Sequence, residues 1–173
     1  MNKALFLDRD GVINIEKNYL YKIKDFEFID GVFELCKYYQ NLGYIIVVVT
    51  NQSGIARKYY DEYDFELLTS WMQSEFLKKD IEIKKVYHCP HHPDISGVCS
   101  CRKPKSGMLK EAKKEFNIDL SSSVMLGDKE RDIEAGIDAG VLTTYLFDEN
   151  STTKSSKATK IISRFEEIYD ADT

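Results

Sequence analysis

Apolar residues fall in short runs along the chain, separated by amphipathic stretches. Residues 3–7 read as a short buried strand, and 44–49, rich in β-branched side chains, as a central one. Runs at 83–87, 123–126 and 142–147 repeat the pattern. Val32, Leu35, Cys36, Tyr39 and Leu42 recur at three- and four-residue steps, which predicts a helix that Asp30 caps and Gly43 ends. Phe65, Leu68, Met72 and Phe76 predict a second helix within 61–79, with Trp71 and Met72 in the core rather than at a cofactor. A third helix starts at Ser106 and passes through Leu109, Ala112 and Phe116; a fourth lies within 130–139 and stops at Gly140. Residues 89–105 hold all three prolines and read as irregular. Residues 151–160 are polar and read as a mobile loop, followed by an edge strand at 160–162 and a last helix capped by Ser163.

Strand alternating with helix predicts an α/β fold: a doubly wound, mostly parallel sheet with helices on both faces. The length of 173 residues suits a single domain over 1–173, with a loop at about 88–105 and no large cap domain. The longest apolar run, 44–49, is too short to cross a bilayer, and no secretory apolar segment follows Met1. The expectation is a cytoplasmic protein without a membrane partner. Twenty-four basic and 29 acidic residues give a net charge of −5, which argues against nucleic acid as a partner. A local basic pocket for a small anion stays compatible with that charge.

In doubly wound sheets, ligands sit beyond the carboxyl ends of the strands. The residues there carry chemistry. Asp8-Arg9-Asp10-Gly11 follows the first run, Thr50-Asn51-Gln52-Ser53-Gly54 the second, and Gly127-Asp128-Lys129 the fourth; Arg102-Lys103-Pro104-Lys105 precedes the helix at 106. These are the parts of phosphoryl transfer through an aspartyl phosphate. Asp8 can attack phosphorus while Mg²⁺, held by Asp8 and Asp128, offsets the repulsion between carboxylate and phosphate. Asp10 can protonate the leaving alcohol and later deprotonate water, and its backbone carbonyl is a further Mg²⁺ ligand. Thr50 can donate a hydrogen bond to a phosphoryl oxygen, and Lys103 can neutralise charge there. Gly11 and Gly54 allow turns and close approach to substrate. Each motif alone has a plainer reading: a solvated Asp-x-Asp turn, a helix cap at Asp128, a surface lysine at 129. Their occurrence together and in order favours the chemical one.

Cys89, His91, Cys99 and Cys101 form a second group, whereas Cys36 lies on a predicted helix face and reads as core. Thiolates and imidazole suit zinc, against the plainer reading of reduced surface cysteines near a chance histidine. A zinc ion there would staple a loop that buries little apolar surface, and four protein ligands would leave it no catalytic position. His88 and His92 read as packing residues.

The stretches 7–11, 26–31, 48–57, 87–93, 99–104 and 127–129 together resemble the haloacid dehalogenase superfamily of aspartyl-phosphate phosphatases. Within its histidinol-phosphatase-like branch, they resemble the heptose bisphosphate phosphatases most. The resemblance implies Asp8 as nucleophile, Asp10 as proton donor, and Mg²⁺ at Asp8, Asp10 and Asp128 with Lys129 nearby. It implies that Thr50 and Lys103 stabilise the phosphoryl group, and that Arg102 recognises the substrate. Glu16, Lys17, Asn18 and Tyr19, with Thr50, Asn51, Gln52 and Ser53, match substrate-contacting stretches. The cysteine–histidine loop matches one that binds structural zinc. The implied activity is removal of the 7-phosphate of a heptose 1,7-bisphosphate by a monomer, in the making of nucleotide-activated heptose. Two residues depart from the pattern: Val12 stands where Thr is usual, and Asn18 where Gly is common, which bears on the shape of the substrate loop.

Rival readings make distinct demands. Histidinol phosphatases usually carry Asp where this chain has Ser53, and lack the Ile55-Ala56-Arg57 that follows. A polynucleotide 3′-phosphatase shares the Thr-Asn-Gln theme but not the acidic charge. A receiver-type switch would accept phosphate without turnover, and does not account for Asp10 or the cysteine loop. A zinc-organised binding module with a vestigial site would be indifferent to magnesium.

Overall fold

The computed structural model describes residues 1–170. Six strands form one parallel sheet: β1 (Lys3–Leu7), β2 (Tyr44–Asn51), β3 (Ile83–Cys89), β4 (Val124–Gly127), β5 (Thr143–Phe147) and β6 (Lys160–Ile162). Their spatial order is β3-β2-β1-β4-β5-β6. Among the described residues, five α-helices accompany them: α1 (Val32–Asn41), α2 (Glu62–Leu77), α3 (Pro93–Ser96), α4 (Gly107–Phe116) and α5 (Glu130–Ala139).

The continuous apolar runs have their cause in burial on both faces. Leu5 and Leu7 of β1 pack with Leu35 of α1 and with Leu68, Met72 and Phe76 of α2. Ala4 and Phe6 point the other way, into a second core with Met108, Leu109 and Ala112 of α4 and Ala135 of α5. Each fully buried large apolar side chain contributes roughly 1.5–3 kcal/mol. Cys36 is buried in the first core, and Trp71 packs against it, as their spacing indicated. Strand order reverses direction between β1 and β4. Register sets Leu7 opposite both Val48 and Leu126, so the strand ends that carry Asp8, Thr50 and Asp128 meet at one edge.

Several local expectations need correction. The cap position of α1 is Gly31 at φ 85°, with no side-chain bond from Asp30, and Leu42 is 50% exposed rather than part of the buried face. Strand β2 continues to Asn51 because Thr50 and Asn51 still pair with His88 and Cys89. The cysteine segment contains the short α3, with Pro93 in its first turn and the His92 ring accepting from the Asp94 N–H. The last element among the described residues is a 3₁₀ turn, Phe165–Ile168, rather than an α-helix, and Ser163 donates to Glu167 instead of capping. The 151–160 loop is irregular but tied down: Ser156 Oγ and the Lys157 N–H both donate to Glu130.

Candidate active site

Asp8 leaves the end of β1 almost buried, at 7% exposure, and meets Lys103, which is 1% exposed. Lys103 Nζ lies 2.9 Å from Asp8 Oδ1, 2.8 Å from Asp132 Oδ1 and 2.7 Å from the Val49 carbonyl. The lysine arrives from the loop before α4, and Asn51 steers it there. Asn51 Nδ2 donates to the Lys103 carbonyl at 3.1 Å, and Asn51 Oδ1 accepts the Lys103 N–H at 3.0 Å. Asp132 escaped the sequence reading. Its signal was the spacing Gly127-Asp128-x-x-x-Asp132: a helix beginning at Glu130 turns the third residue of its first turn back toward the strand end. There Asp132 is fully buried and accepts the Lys129 N–H at 3.0 Å.

One ligand oxygen from each of Asp8, Asp128 and Asp132 lies within 4.8 Å of the others. Burial, and then the Asp132 charge, hold the Asp8 carboxyl well above its ordinary pKa, although Lys103 opposes them. Burial and Asp132 raise Asp128 in the same way. Burial works against the Lys103 charge, but Asp132 and Asp8 outweigh it and raise the lysine's pKa. One buried ammonium is thus outnumbered by carboxylates, and Asp128 Oδ1 is buried without a hydrogen-bond partner. A hard divalent cation fits that orphaned oxygen and the surplus of negative charge. Asp8 and Asp128 are placed to hold it, with Asp132 beside them: its Oδ2 accepts the Lys129 N–H, while its Oδ1, 2.8 Å from Lys103 Nζ, is likewise buried without a hydrogen bond. Gly11 leaves room for the Asp128 carboxylate: a Cβ there would come 2.1 Å from Asp128 Oδ2, and its φ is 87°.

Asp10 faces elsewhere. Its Oδ1 accepts from Arg9 Nη2 at 2.9 Å and Asn14 Nδ2 at 3.0 Å, and its Oδ2 from Gln52 Nε2 at 3.0 Å. Of the metal role expected for Asp10, its backbone carbonyl is the part compatible with this orientation. Gln52 Nε2 also donates to Thr50 Oγ1 at 2.9 Å, while its Oε1 accepts from the Tyr60 hydroxyl. One buried amide therefore ties Asp10 and Thr50 together. Tyr60 also escaped the sequence reading. Its ring explains Gly54, where a Cβ would come 2.2 Å from the Tyr60 Cε1 atom.

A cleft of about 360 Å³ opens beside Asp10. Glu16, Asn18, Tyr19, Asn51, Gln52, Ser53 and Arg102 line it, as does Lys129, whose Nζ sits 3.4 Å from Asp128. Thr50 and Lys103 lie buried by the carboxylates. Lys17 does not join the wall: its ammonium is held by Glu27 and the Asp25 carbonyl. Asn18 and Tyr19 adopt φ of 46° and 60°, a left-handed turn that Gly fits without strain and Asn tolerates. Val12 is fully buried in the apolar core. Arg57 and Arg131, unassigned from sequence, complete the cationic side of the cleft.

The second group also assembles. Ligand atoms of Cys89, His91, Cys99 and Cys101 all lie within 4.8 Å of one another, with His91 Nδ1 facing the sulfurs. Cys89 Sγ is 3.6 Å from Cys99 Sγ and 3.5 Å from His91 Nδ1. These are close to the roughly 3.5–3.8 Å edges of a tetrahedral zinc site; the 3.0 Å Cys89–Cys101 separation is shorter. Burial opposes the Cys99 thiolate, yet the Arg102 N–H and the neighbouring thiols pull its pKa down to about 6. Sulfur poised to ionise beside a second and third thiol fits a soft cation. The loop adjoins the cleft directly, since Arg102 Nη1 donates to the His91 carbonyl at 3.3 Å and Gln52 N–H to the Cys89 carbonyl at 2.8 Å.

Comparison with known proteins agrees with this geometry. A HAD-hydrolase-like family model matches residues 100–168. A D-glycero-α-D-manno-heptose-1,7-bisphosphate 7-phosphatase of Campylobacter jejuni is 56% identical over 147 residues, 85% of this chain and 83% of its own. The Haemophilus influenzae enzyme named for the β anomer is 50% identical over 150 residues, 84% and 82% of the two chains. A D,D-heptose 1,7-bisphosphate phosphatase from B. bronchiseptica, solved with magnesium and phosphate, superimposes with a TM-score of 0.85 at 25% identity, covering 98% of this chain and 97% of that one. No helix among the described residues is long and apolar enough to cross a membrane. At 56% identity over 85% of its length, with a shared fold over 98% of it, the chain belongs to the heptose 1,7-bisphosphate phosphatases of the haloacid dehalogenase superfamily.

Proposed function

We propose that the protein is a Mg²⁺-dependent phosphomonoesterase that removes the 7-phosphate of D-glycero-D-manno-heptose 1,7-bisphosphate through a phosphoaspartate on Asp8. It acts as a cytoplasmic monomer, and its product feeds the making of nucleotide-activated heptose. The observation that carries the chemistry is the buried contact of Lys103 with Asp8 beside the partnerless Asp128 oxygen.

Asp8 Oδ1 accepts from Lys103 Nζ and the Arg9 N–H, which leaves Oδ2 to attack phosphorus. The phosphorus–oxygen bond to C7 breaks, and Asp10 gives its proton to the departing alkoxide. Asp10 then takes a proton from water as that water attacks phosphorus, the bond to Asp8 breaks, and inorganic phosphate leaves. Lys103 balances charge on the phosphoryl oxygens, and Thr50 donates to one of them. Mg²⁺ bound by Asp8 and Asp128 supplies charge neutralisation at the encounter of carboxylate and phosphate. Zinc held by Cys89, His91, Cys99 and Cys101 fixes the loop that presents Arg102 and Lys103. Glu16, Asn18, Tyr19, Asn51, Gln52 and Ser53 shape the sugar site.

The test is phosphate release on both heptose bisphosphate anomers and on histidinol phosphate, with and without magnesium. The expected order puts a heptose bisphosphate first, and Asp8→Asn lowers kcat by about 10⁴-fold or more. Faster turnover of histidinol phosphate would overturn the substrate, and an active Asp8→Asn enzyme the mechanism.

A further inference from the structure

Arg9 stands in the chain between the two reacting carboxylates and is 1% exposed. Its main chain builds the strand end: the N–H donates to Asp8 Oδ1 at 2.9 Å, and the carbonyl accepts the N–H groups of Val12, Ile13 and Asn14. Its side chain makes a different set of contacts. One nitrogen, Nη2, donates at 2.9 Å both to Asp10 Oδ1 and to the Leu20 carbonyl. The guanidinium lies 6.0 Å from the centre of the Phe65 ring, and its Nε and Nη1 are buried without a hydrogen-bond partner. An apolar side chain of like volume would fill this space without the desolvation cost of a buried cation. Packing alone does not account for an arginine here.

What the side chain joins is more telling. Leu20 follows the cleft-lining Asn18 and Tyr19, and is itself buried. Next in the chain, Tyr21 stacks on Tyr60 with 5.3 Å between ring centres. Tyr60 donates to Gln52, and Gln52 Nε2 donates to Asp10 Oδ2. Both oxygens of Asp10 are therefore tied to one loop, Oδ1 through Arg9 to Leu20, and Oδ2 through Gln52 and Tyr60 to Tyr21. The two ties are unequal. Oδ1 accepts from Arg9 and from Asn14 Nδ2, which occupies it with donors. Oδ2 has the Gln52 amide alone, and that same nitrogen reaches Thr50 Oγ1, so Oδ2 lies toward the reacting phosphate. A protonated carboxyl keeps acceptor capacity on the oxygen that bears the proton, so the Gln52 contact survives protonation there.

We infer that Arg9 is a positioning residue for proton transfer: it reserves Asp10 Oδ1 as an acceptor, leaves Oδ2 to deliver the proton, and ties that carboxyl to the loop against which the sugar rests. As the phosphorus–oxygen bond to C7 breaks, the Oδ2–H bond breaks with it and the C7 oxygen takes the proton. The carboxylate left behind already faces the Arg9 cation. The inference rests on the proposed roles of Asp8 and Asp10. Arg9 is not among the residues that line the cleft, so it acts through Asp10 rather than on the substrate.

Leaving-group release in the first turnover of the full-length, magnesium-supplied enzyme tests this, on heptose 1,7-bisphosphate and on p-nitrophenyl phosphate. The first turnover separates attack by Asp8 from the later work of Asp10 as a base. Arg9→Met is expected to slow release of the sugar about 10²-fold, because a general acid acts only when correctly aimed. Release of nitrophenolate, which departs without a proton, should fall at least about tenfold less. Arg9→Lys keeps the charge without the planar fork, and should lose about five- to tenfold on the sugar alone; it carries the comparison where the methionine variant does not fold. In an Asp10→Asn background neither substitution should slow the sugar further, since the group they act through is gone. Equal losses on the two substrates, losses undiminished in the Asp10→Asn background, or no loss at all overturn the inference and leave the phosphatase reading intact. An Asp10→Asn enzyme that matches the parent on the sugar overturns the role of Asp10 and the inference with it.

Discussion

Lys103→Met isolates the charge balance on which the site depends. The ammonium is 1% exposed and lies 2.9 Å and 2.8 Å from the carboxylates of Asp8 and Asp132. Methionine fills a similar volume but leaves both carboxylates without their cation. Removing one member of a buried pair costs about 3–5 kcal/mol, a large part of the roughly 5–15 kcal/mol that holds a typical domain together. Proton uptake limits the damage, so the loss depends on pH. Burial and Asp132 already raise Asp8 above its ordinary 3.8, and losing Lys103 raises it further. From pH 4 up to that raised value, the folded state binds more protons than the unfolded chain. Stability therefore falls as pH rises, by up to about 1.4 kcal/mol per pH unit for each such group. In the parent, the lysine's folded pKa lies above its ordinary 10.5, so its contribution is complete throughout the neutral range and lost only at strongly alkaline pH. Urea unfolding of the metal-free proteins should show a small deficit for the variant at pH 5 and a larger one at pH 8. Added magnesium should recover more stability in the variant than in the parent. A deficit below about 1 kcal/mol at pH 8, or one equal at both pH values, would show that Lys103 is not what balances these carboxylates.

Gln52→Ala should slow sugar phosphate hydrolysis about 10²-fold or more, but p-nitrophenyl phosphate at least tenfold less, because a nitrophenolate departs without a proton from Asp10; equal slowing on the two substrates refutes the tether between Gln52 and Asp10. Freshly purified protein should hold close to one zinc per chain by elemental analysis, and chelation should open residues 89–105 to hydrogen exchange while the sheet stays protected; a zinc content near zero sinks the staple. Gly54→Ala forces the Tyr60 ring aside, since the new Cβ would stand 2.2 Å from it, and should cost about 1–3 kcal/mol with a fall in kcat; an unchanged melting temperature and kcat would contradict that packing.

The alternation of apolar runs with periodic stretches was enough to place all six strands and the four long helices; it is plainest at β1, β2 and β4, which are buried on both faces and have almost no polar positions to blur them. Polar residues clustered just past those runs marked Asp8, Thr50 and Asp128 for the same reason: a strand end is where a buried chain first meets solvent and ligand. Caps were less legible. Asp30 had the right chemistry for α1, but the backbone turns at Gly31 instead, and that choice depends on how the preceding loop crosses the core.

What the residues alone determined is the inventory: three carboxylates, a lysine, a hydroxyl and four ligands of the kind zinc takes, in a fixed chain order. Tertiary structure decided how these are partnered. It set Asp132 rather than Asp10 beside Asp8, turned Lys17 out of the cleft, joined Asp10 to Thr50 through Gln52 and Tyr60, and brought Arg57 and Arg131 to one wall. Side-chain direction follows from strand register and the start of a helix, and separations of 42 residues between Asp10 and Gln52 or 95 between Asp8 and Lys103 carry no local signal of who meets whom. Local periodicity reports burial, whereas charge pairing is settled only when distant segments close on one another.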